Sequence, residues 1–164
     1  MTTEIRAARA DEYDAVGELT VAAYRDDGFA TEGPYLDMLR DAAGRAAVTR
    51  VMVAVDGEEV LGTVTLVAPD APKEWRENYR DNAGTIRMLA VATEARGRGA
   101  GAALTQWCID EARRRGWSEL TLVTQPTMHS AHRVYERAGF IRDSDLDFVV
   151  GEGFRLLGYS LRLS

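Results

Sequence analysis

The 164-residue chain reads as one mixed α/β domain. Three observations predict it. β-rich runs alternate with helix-spaced apolar segments along the length of the chain. Asp56-Gly57 stands between two β-rich runs, which is a strong hairpin signal. The glycine-rich stretch "AVATEARGRGAG" (90–101) joins a hydrophobic run to a helical one. The length suits one hydrophobic core, and no composition shift marks a boundary within residues 1–164.

Taken in order, "EIRAA" (4–8) alternates weakly and predicts a first strand. Asp11 lies three residues before Asp14 as a helix cap, and Val16, Leu19 and Ala23 follow at helical spacing. Glycines at 28 and 33 break that helix. Pro34 opens another, with Tyr35, Leu36, Met38 and Leu39 on its apolar side. "VMVAVDGEEVLGTVTLV" (51–67) is the hairpin. Residues 68–83 predict a long loop with a helical turn around Trp75 and Tyr79. "TIRMLAV" (85–91) lacks polar alternation and reads as a central strand. Residues 101–115 form a helix with Leu104, Trp107, Cys108, Glu111 and Ala112 on one stripe. Arg113 to Arg115 favour the negative end of its dipole, and Gly116 ends it. "SELTLVT" (118–124) is a strand, residues 128–138 a short helix stopped by Gly139, and Phe140-Ile141 strand again. "DLDFVV", "GEG" and "FRLLGYSLRL" close the chain as a hairpin.

Composition excludes several classes. With 46% hydrophobic and 28% charged residues the chain resembles an ordinary globular protein, and no apolar run is long enough for a membrane helix. No signal core opens the sequence, and the single cysteine, Cys108, has no internal disulfide partner, so a cytoplasmic protein is expected. The net charge of -6 is uneven: residues 1–85 carry 9 Lys+Arg against 17 Asp+Glu, and residues 86–164 carry 11 against 9. Anions are better received in the second half, while the overall sign argues against nucleic acid as a partner.

Residues 96–101 lie in that less acidic half. A strand, a glycine-rich turn and a helix in that order place unpaired backbone N–H groups at the helix start, where they can bind an anion. Gly97, Gly99 and Gly101 leave the approach clear, and Arg96 and Arg98 add positive charge. A nucleotide P-loop is excluded because its Lys and Ser/Thr are missing. The dinucleotide fingerprint fits poorly because "ATEAR" separates strand from glycines. From the turn alone, a tight solvated turn remains the alternative to a phosphate cradle.

"LAVATEARGRGAGAAL" resembles the acyl-CoA-binding motif of the GCN5-related N-acetyltransferase (GNAT) superfamily, matched at Arg96, Gly97, Arg98, Gly99, Ala100 and Gly101. "AHRVYERAGF" (131–140) resembles the second family signature, with Tyr135 and Gly139-Phe140 in register. The resemblance covers essentially the whole chain. It implies the acyl-CoA N-acyltransferase fold: a mixed, mostly antiparallel sheet of about seven strands, flanked by helices and splayed between strands four and five. It also implies acetyl-CoA as co-substrate, with no metal. The diphosphate would sit on backbone groups of Arg96 to Ala102, and the pantetheine arm against Leu89, Ala90 and Val91. Tyr135 would donate a proton to the departing thiolate and the Val91 amide would meet the oxyanion. The acceptor would be a primary amine of a small molecule or peptide, with no membrane partner, and a homodimer is compatible with family habit. A non-catalytic acyl-CoA-binding module is the alternative.

The pattern departs from the family in two places. No glutamate stands on the fourth strand, which leaves Glu94, Asp81, Glu77, Glu32, His132 or an ordered water as base. Met128 occupies the usual asparagine position, leaving Thr127 or His129 as replacements. Bland readings stay open beside the sharp ones. Tyr135 could be a core aromatic, His129 and His132 surface residues, and Cys108 core. Trp75 and Tyr79 could line the acceptor site or pin a loop. Asp26, Asp27 and Glu32, and likewise Asp145, Asp147 and Glu152, could attract a cationic amine or simply be solvated.

Overall fold

A computed structural model describes residues 3–26, 33–76, 80–150 and 154–163. The chain begins with β1 (Glu4–Ala7), followed by α1 (Tyr13–Asp26), α2 (Pro34–Arg40) and α3 (Ala42–Val48). The hairpin β2 (Arg50–Asp56) and β3 (Glu59–Val67) comes next, then a loop with a 3-10 turn at Lys73–Trp75, then β4 (Ala83–Val91). The turn leads into α4 (Ala100–Arg114), β5 (Glu119–Thr124), α5 (His129–Arg137) and β6 (Ile141–Arg142). The chain closes with the hairpin β7 (Phe148–Val150) and β8 (Phe154–Arg162).

The strands form one sheet in the order β1-β2-β3-β4-β5-β8-β6, with β7 paired only to β8. Seven strands thus form the main path, as the family resemblance implies, and β7, the expected "DLDFVV" run, pairs beside it as half of the closing hairpin. Pairing is antiparallel except between β4 and β5, which run parallel.

Helical spacing decides what covers each face. On α4, Ala100, Leu104, Cys108 and Ala112 recur every four residues and are buried against Ile86, Leu120 and Leu122. Each large aliphatic buried there contributes roughly 1.5–3 kcal/mol. Glu111 lies on the same stripe because Arg50, Arg114 and Arg115 neutralise it. The opposite face, carrying Val51, Val53 and Val55, is covered by Val16 of α1 and Ala42 of α3. α1 and α2 meet so closely at Gly17 that a Cβ there would lie 2.1 Å from the Arg40 carbonyl oxygen.

Several local expectations change. α1 is preceded by a 3-10 turn, Ala10–Glu12, and the Glu12 carboxylate accepts the Arg9 N–H at 2.8 Å. The N-cap is therefore Arg9, with Glu12 reaching back to its amide, rather than Asp11. α3 was not evident from the sequence, since "AAGRAAV" has little apolar contrast; Asp41 caps it by accepting the Gly44 N–H at 3.0 Å. Cys108 is fully buried as expected, and burial pushes its thiol pKa well up.

Candidate functional site

The site begins where β4 and β5 part. They are in register only from Ala83, Gly84 and Thr85 to Glu119, Leu120 and Thr121. The Thr85 and Thr121 hydroxyls, 3.3 Å apart, lie at the last rung. Beyond it β4 runs on to Val91 beside β3, while β5 stays with β8. A bulge bends β4 at this point. Thr65 opposes Arg87 and Thr63 opposes Ala90, so Val64 alone faces both Met88 and Leu89. Met88 takes a φ of 53°, left-handed for a non-glycine residue. Nothing in "TIRMLAV" announces the extra residue.

Past the bulge, Ala92 N–H donates to the Leu61 carbonyl at 2.8 Å, and Ala90 pairs with Thr63. Antiparallel ladders alternate, so the peptide groups of Leu89 and Val91 face the opposite edge, into the gap that β5 has left.

The chain then passes a 3-10 turn at Thr93–Ala95 and the glycine turn. Gly97 and Gly99 have φ values of 82° and 81°, a conformation costing a non-glycine residue roughly 1–2 kcal/mol. Gly99 is the N-cap of α4 and makes no side-chain cap bond. The first helical bond is Ala103 N–H to the Gly99 carbonyl at 3.0 Å. Helical geometry therefore leaves the amides of Ala100, Gly101 and Ala102 without partners inside the helix, at the positive end of its dipole.

A cavity of about 460 Å³ lies over these groups. Leu89, Ala90 and Val91 of β4 line it on one side. Arg96, Gly97, Gly99, Ala100, Gly101 and Ala102 form the wall at the turn. Arg98 is the exception among the expected cofactor residues: its side chain turns to the β2–β3 hairpin and pairs with Asp56 at 3.1 Å and Glu59 at 3.5 Å. The far wall was not foreseen. It comes from Ser130, Ala131, Arg133, Val134 and Arg137 of α5, with Ala23 of α1. Positions 130, 133, 134 and 137 share one helical face, and that spacing was a signal present in the sequence. Among the described residues the lining holds three arginines and no carboxylate.

Tyr135 occupies a different part of α5. It is 5% exposed, lies outside the cavity lining, and its ring stands 5.8 Å from Phe140 and 6.4 Å from Tyr159. His132 belongs to the same side. Its Nε2 lies 2.8 Å from the Gln125 carbonyl. A carbonyl only accepts, so Nε2 carries the hydrogen and Nδ1 is the atom able to take a proton. Burial holds this ring below the usual histidine pKa, against the opposing pull of the Gln125 bond.

The other candidates sort by geometry. Asp81 stands before β4, at the end where β4 and β5 are still paired, most of a nine-residue strand from Val91. Glu94 is exposed on the 3-10 turn. Asp26 accepts a hydrogen bond from the Thr93 hydroxyl. Asp147 is enclosed by Arg142, Arg155 and the Gly158 N–H, and is structural. Met128 is buried with Val21, Tyr24, Leu39 and Met88. Trp75 stacks on Arg87 of β4, 5.4 Å from guanidinium to ring centre, and so ties its loop to the sheet. Asp27, Glu32, Glu77, Tyr79 and Glu152 lie outside the described residues. No group of three or more metal-ligating side chains is present among the described residues, and none of their helices is long and apolar enough to cross a membrane.

A sheet parted between parallel central strands, with a glycine turn feeding a helix at the opening, defines the acyl-CoA N-acyltransferase fold. The chain belongs to the acetyltransferase (GNAT) family, whose profile matches residues 10–140. It is 30% identical over 166 residues to a streptothricin acetyltransferase of Streptomyces lavendulae, covering 85% of this chain and 82% of that one. It is 42% identical over 90 residues to N-alpha-acetyltransferase 30 of Schizosaccharomyces pombe, covering 55% of this chain and 56% of that protein. A mycothiol acetyltransferase of Mycobacteroides abscessus is 36% identical over 96 residues, 58% of this chain but 29% of that protein. The match thus spans little more than half, or less, of those last two proteins. In fold, a GNAT acetyltransferase of Staphylococcus aureus Mu50 superposes with a TM-score of 0.78 at 14% identity, covering 99% of this chain and 100% of that one. A putative acetyltransferase of Salmonella typhimurium, solved with its cofactor acetyl-CoA, gives 0.71 at 20% identity, covering 100% of this chain and 95% of that one.

Proposed function

We propose that the chain is an N-acetyltransferase that moves an acetyl group from acetyl-CoA directly to a primary amine. One observation carries the reading: a single cavity links the unpaired amides at the start of α4 to the gap-facing peptide groups of β4. The donor set suits a phosphorylated thioester. Amides of Ala100 to Ala102 and the Arg96 guanidinium hold the diphosphate, and charge-assisted bonds of this kind contribute roughly 1.5–3 kcal/mol each. The peptide groups of Leu89 and Val91 hold the amide-bearing arm as an added strand would.

Bound acetyl-CoA supplies the activated acetyl group; the protein supplies position. Holding amine and thioester at the parting of β4 and β5 converts a bimolecular reaction into an oriented one. The Val91 N–H donates to the carbonyl oxygen as negative charge develops there. The Tyr135 hydroxyl donates the proton that the departing thiolate takes up. The amine reacts as the neutral base, and its proton passes to water or to His132 Nδ1. The relatives' names suggest acceptors to try first: peptide α-amines and streptothricin.

A second reading, a non-catalytic acyl-CoA-binding module, is favoured by the burial of Tyr135 and the lack of a carboxylate in the described lining. One assay separates the two. Thiol release from acetyl-CoA is followed against a panel of peptide α-amines, lysine-bearing peptides, polyamines and streptothricin. Amine-dependent release supports the enzyme. CoA binding with no release across the panel supports the module.

A further inference from the structure

Most arginines outside the cavity lining have acidic partners: Arg6 has Glu12, Arg50 has Glu111, Arg80 has Asp143 and Arg142 has Asp147. The three that line the cavity differ. Arg96, Arg133 and Arg137 make no ion pair among the described residues, and Arg133 reaches only the Ser130 hydroxyl, at 3.4 Å. An uncompensated cationic cluster beside a cavity attracts anionic charge.

The position of these cations matters as much as their number. Arg96 lies in the glycine turn, next to the amides suited to a diphosphate. Arg133 and Arg137 line the same cavity from α5, one helical turn apart and on the same face, about 6 Å along the axis. Each bridging diphosphate group carries about one charge, and the turn amides with Arg96 already answer it. A phosphate monoester carries about −1.5 to −2 at neutral pH and offers three acceptor oxygens. Two guanidiniums one turn apart suit such a group, since each can donate two parallel bonds to phosphate oxygens.

We propose that Arg133 and Arg137 form a second phosphate subsite, separate from the turn, that takes the 3′-phosphate monoester at the nucleotide end of CoA. This rests on the reading of the cavity as an acyl-CoA site. The consequence is a specificity that the glycine turn cannot supply: the chain distinguishes CoA from 3′-dephospho-CoA, which keeps the diphosphate and the pantetheine arm but lacks the monoester.

Titration calorimetry of CoA and 3′-dephospho-CoA against the wild type, Arg133→Ala, Arg137→Ala and the double variant tests this. Both side chains are exposed, and matching thermal melts verify that the variants are folded. The wild type is expected to bind CoA on the order of tenfold or more tighter than the dephosphorylated form. In the double variant the two affinities should converge, and added salt should narrow the wild-type ratio. Equal wild-type affinities for the two ligands would overturn the subsite while leaving the cavity reading intact. So would variants that weaken both ligands by the same factor, since the arginines would then serve the diphosphate or the general field. Binding of neither ligand to the wild type would overturn the cavity reading itself, and the subsite with it.

Discussion

Tyr135 is the residue on which the proposed chemistry turns. Its ring packs against Phe140 and Tyr159, so exchange for phenylalanine removes the hydroxyl and keeps the packing. Tyr135→Phe should lower turnover by roughly 10²-fold or more, as loss of a general acid does, with CoA affinity unchanged by calorimetry. Turnover at the wild-type rate would remove the hydroxyl from the reaction. Single residues also show where sequence reasoning reaches its limit. Gly97 and Gly99 were legible because only glycine takes their φ values without strain. Arg98 was not, because its partner Asp56 is 42 positions away and meets it only once the β2–β3 hairpin folds back over the turn. Charge beside a glycine turn suggests anion binding whichever way the side chain points.

Among the elements, those with strong periodicity were readable and those set by tertiary pairing were not. β4, α4, β5 and α5 came within a residue or two of their positions because glycines and apolar runs bound them. The Met88 bulge was invisible, since a strand with one extra residue has the composition of one without it. The closing β7–β8 hairpin was legible as strands, but its fastening was not. Asp147 accepts from Arg142, Arg155 and the Gly158 N–H, and Asp143 from Arg80 and the Ser160 hydroxyl. Hydrogen bonds from Arg142 first, then from Gly158 and Arg155, hold the Asp147 carboxyl far below its usual pKa. Arg80, with Ser160, lowers that of Asp143. A depressed carboxylate pKa contributes stability above the unfolded value and loses it as pH falls through the folded one. The hairpin should therefore loosen as pH drops below the ordinary Asp value of 3.8. Asp147→Asn should cost about 1–2 kcal/mol at neutral pH, discounted because the two arginines are partly exposed. Its urea-unfolding stability should also fall less steeply in acid than the wild type's. Parallel acid profiles for the two proteins would contradict this role.

Across the whole molecule, the proposed function rests on one topological feature. Among the described strands, β4 and β5 are the only neighbours in the sheet's main path that run parallel, and their register stops at Thr85 and Thr121. Opposite that parting, α4 turns its unpaired amides toward the same cavity, and α5 supplies the far wall. The sequence motif revealed the turn but not α5's contribution of Ser130, Arg133 and Arg137, because which helical face meets a cavity depends on how the helix packs on the sheet. The most direct test is a ¹⁵N-amide NMR titration with CoA. Peptide groups that grip the ligand predict the largest shifts at Gly99 to Ala102 and at Leu89 and Val91, with little change along β1 and β2. Saturating CoA that leaves those amides unmoved, or shifts centred elsewhere, would contradict the proposed site.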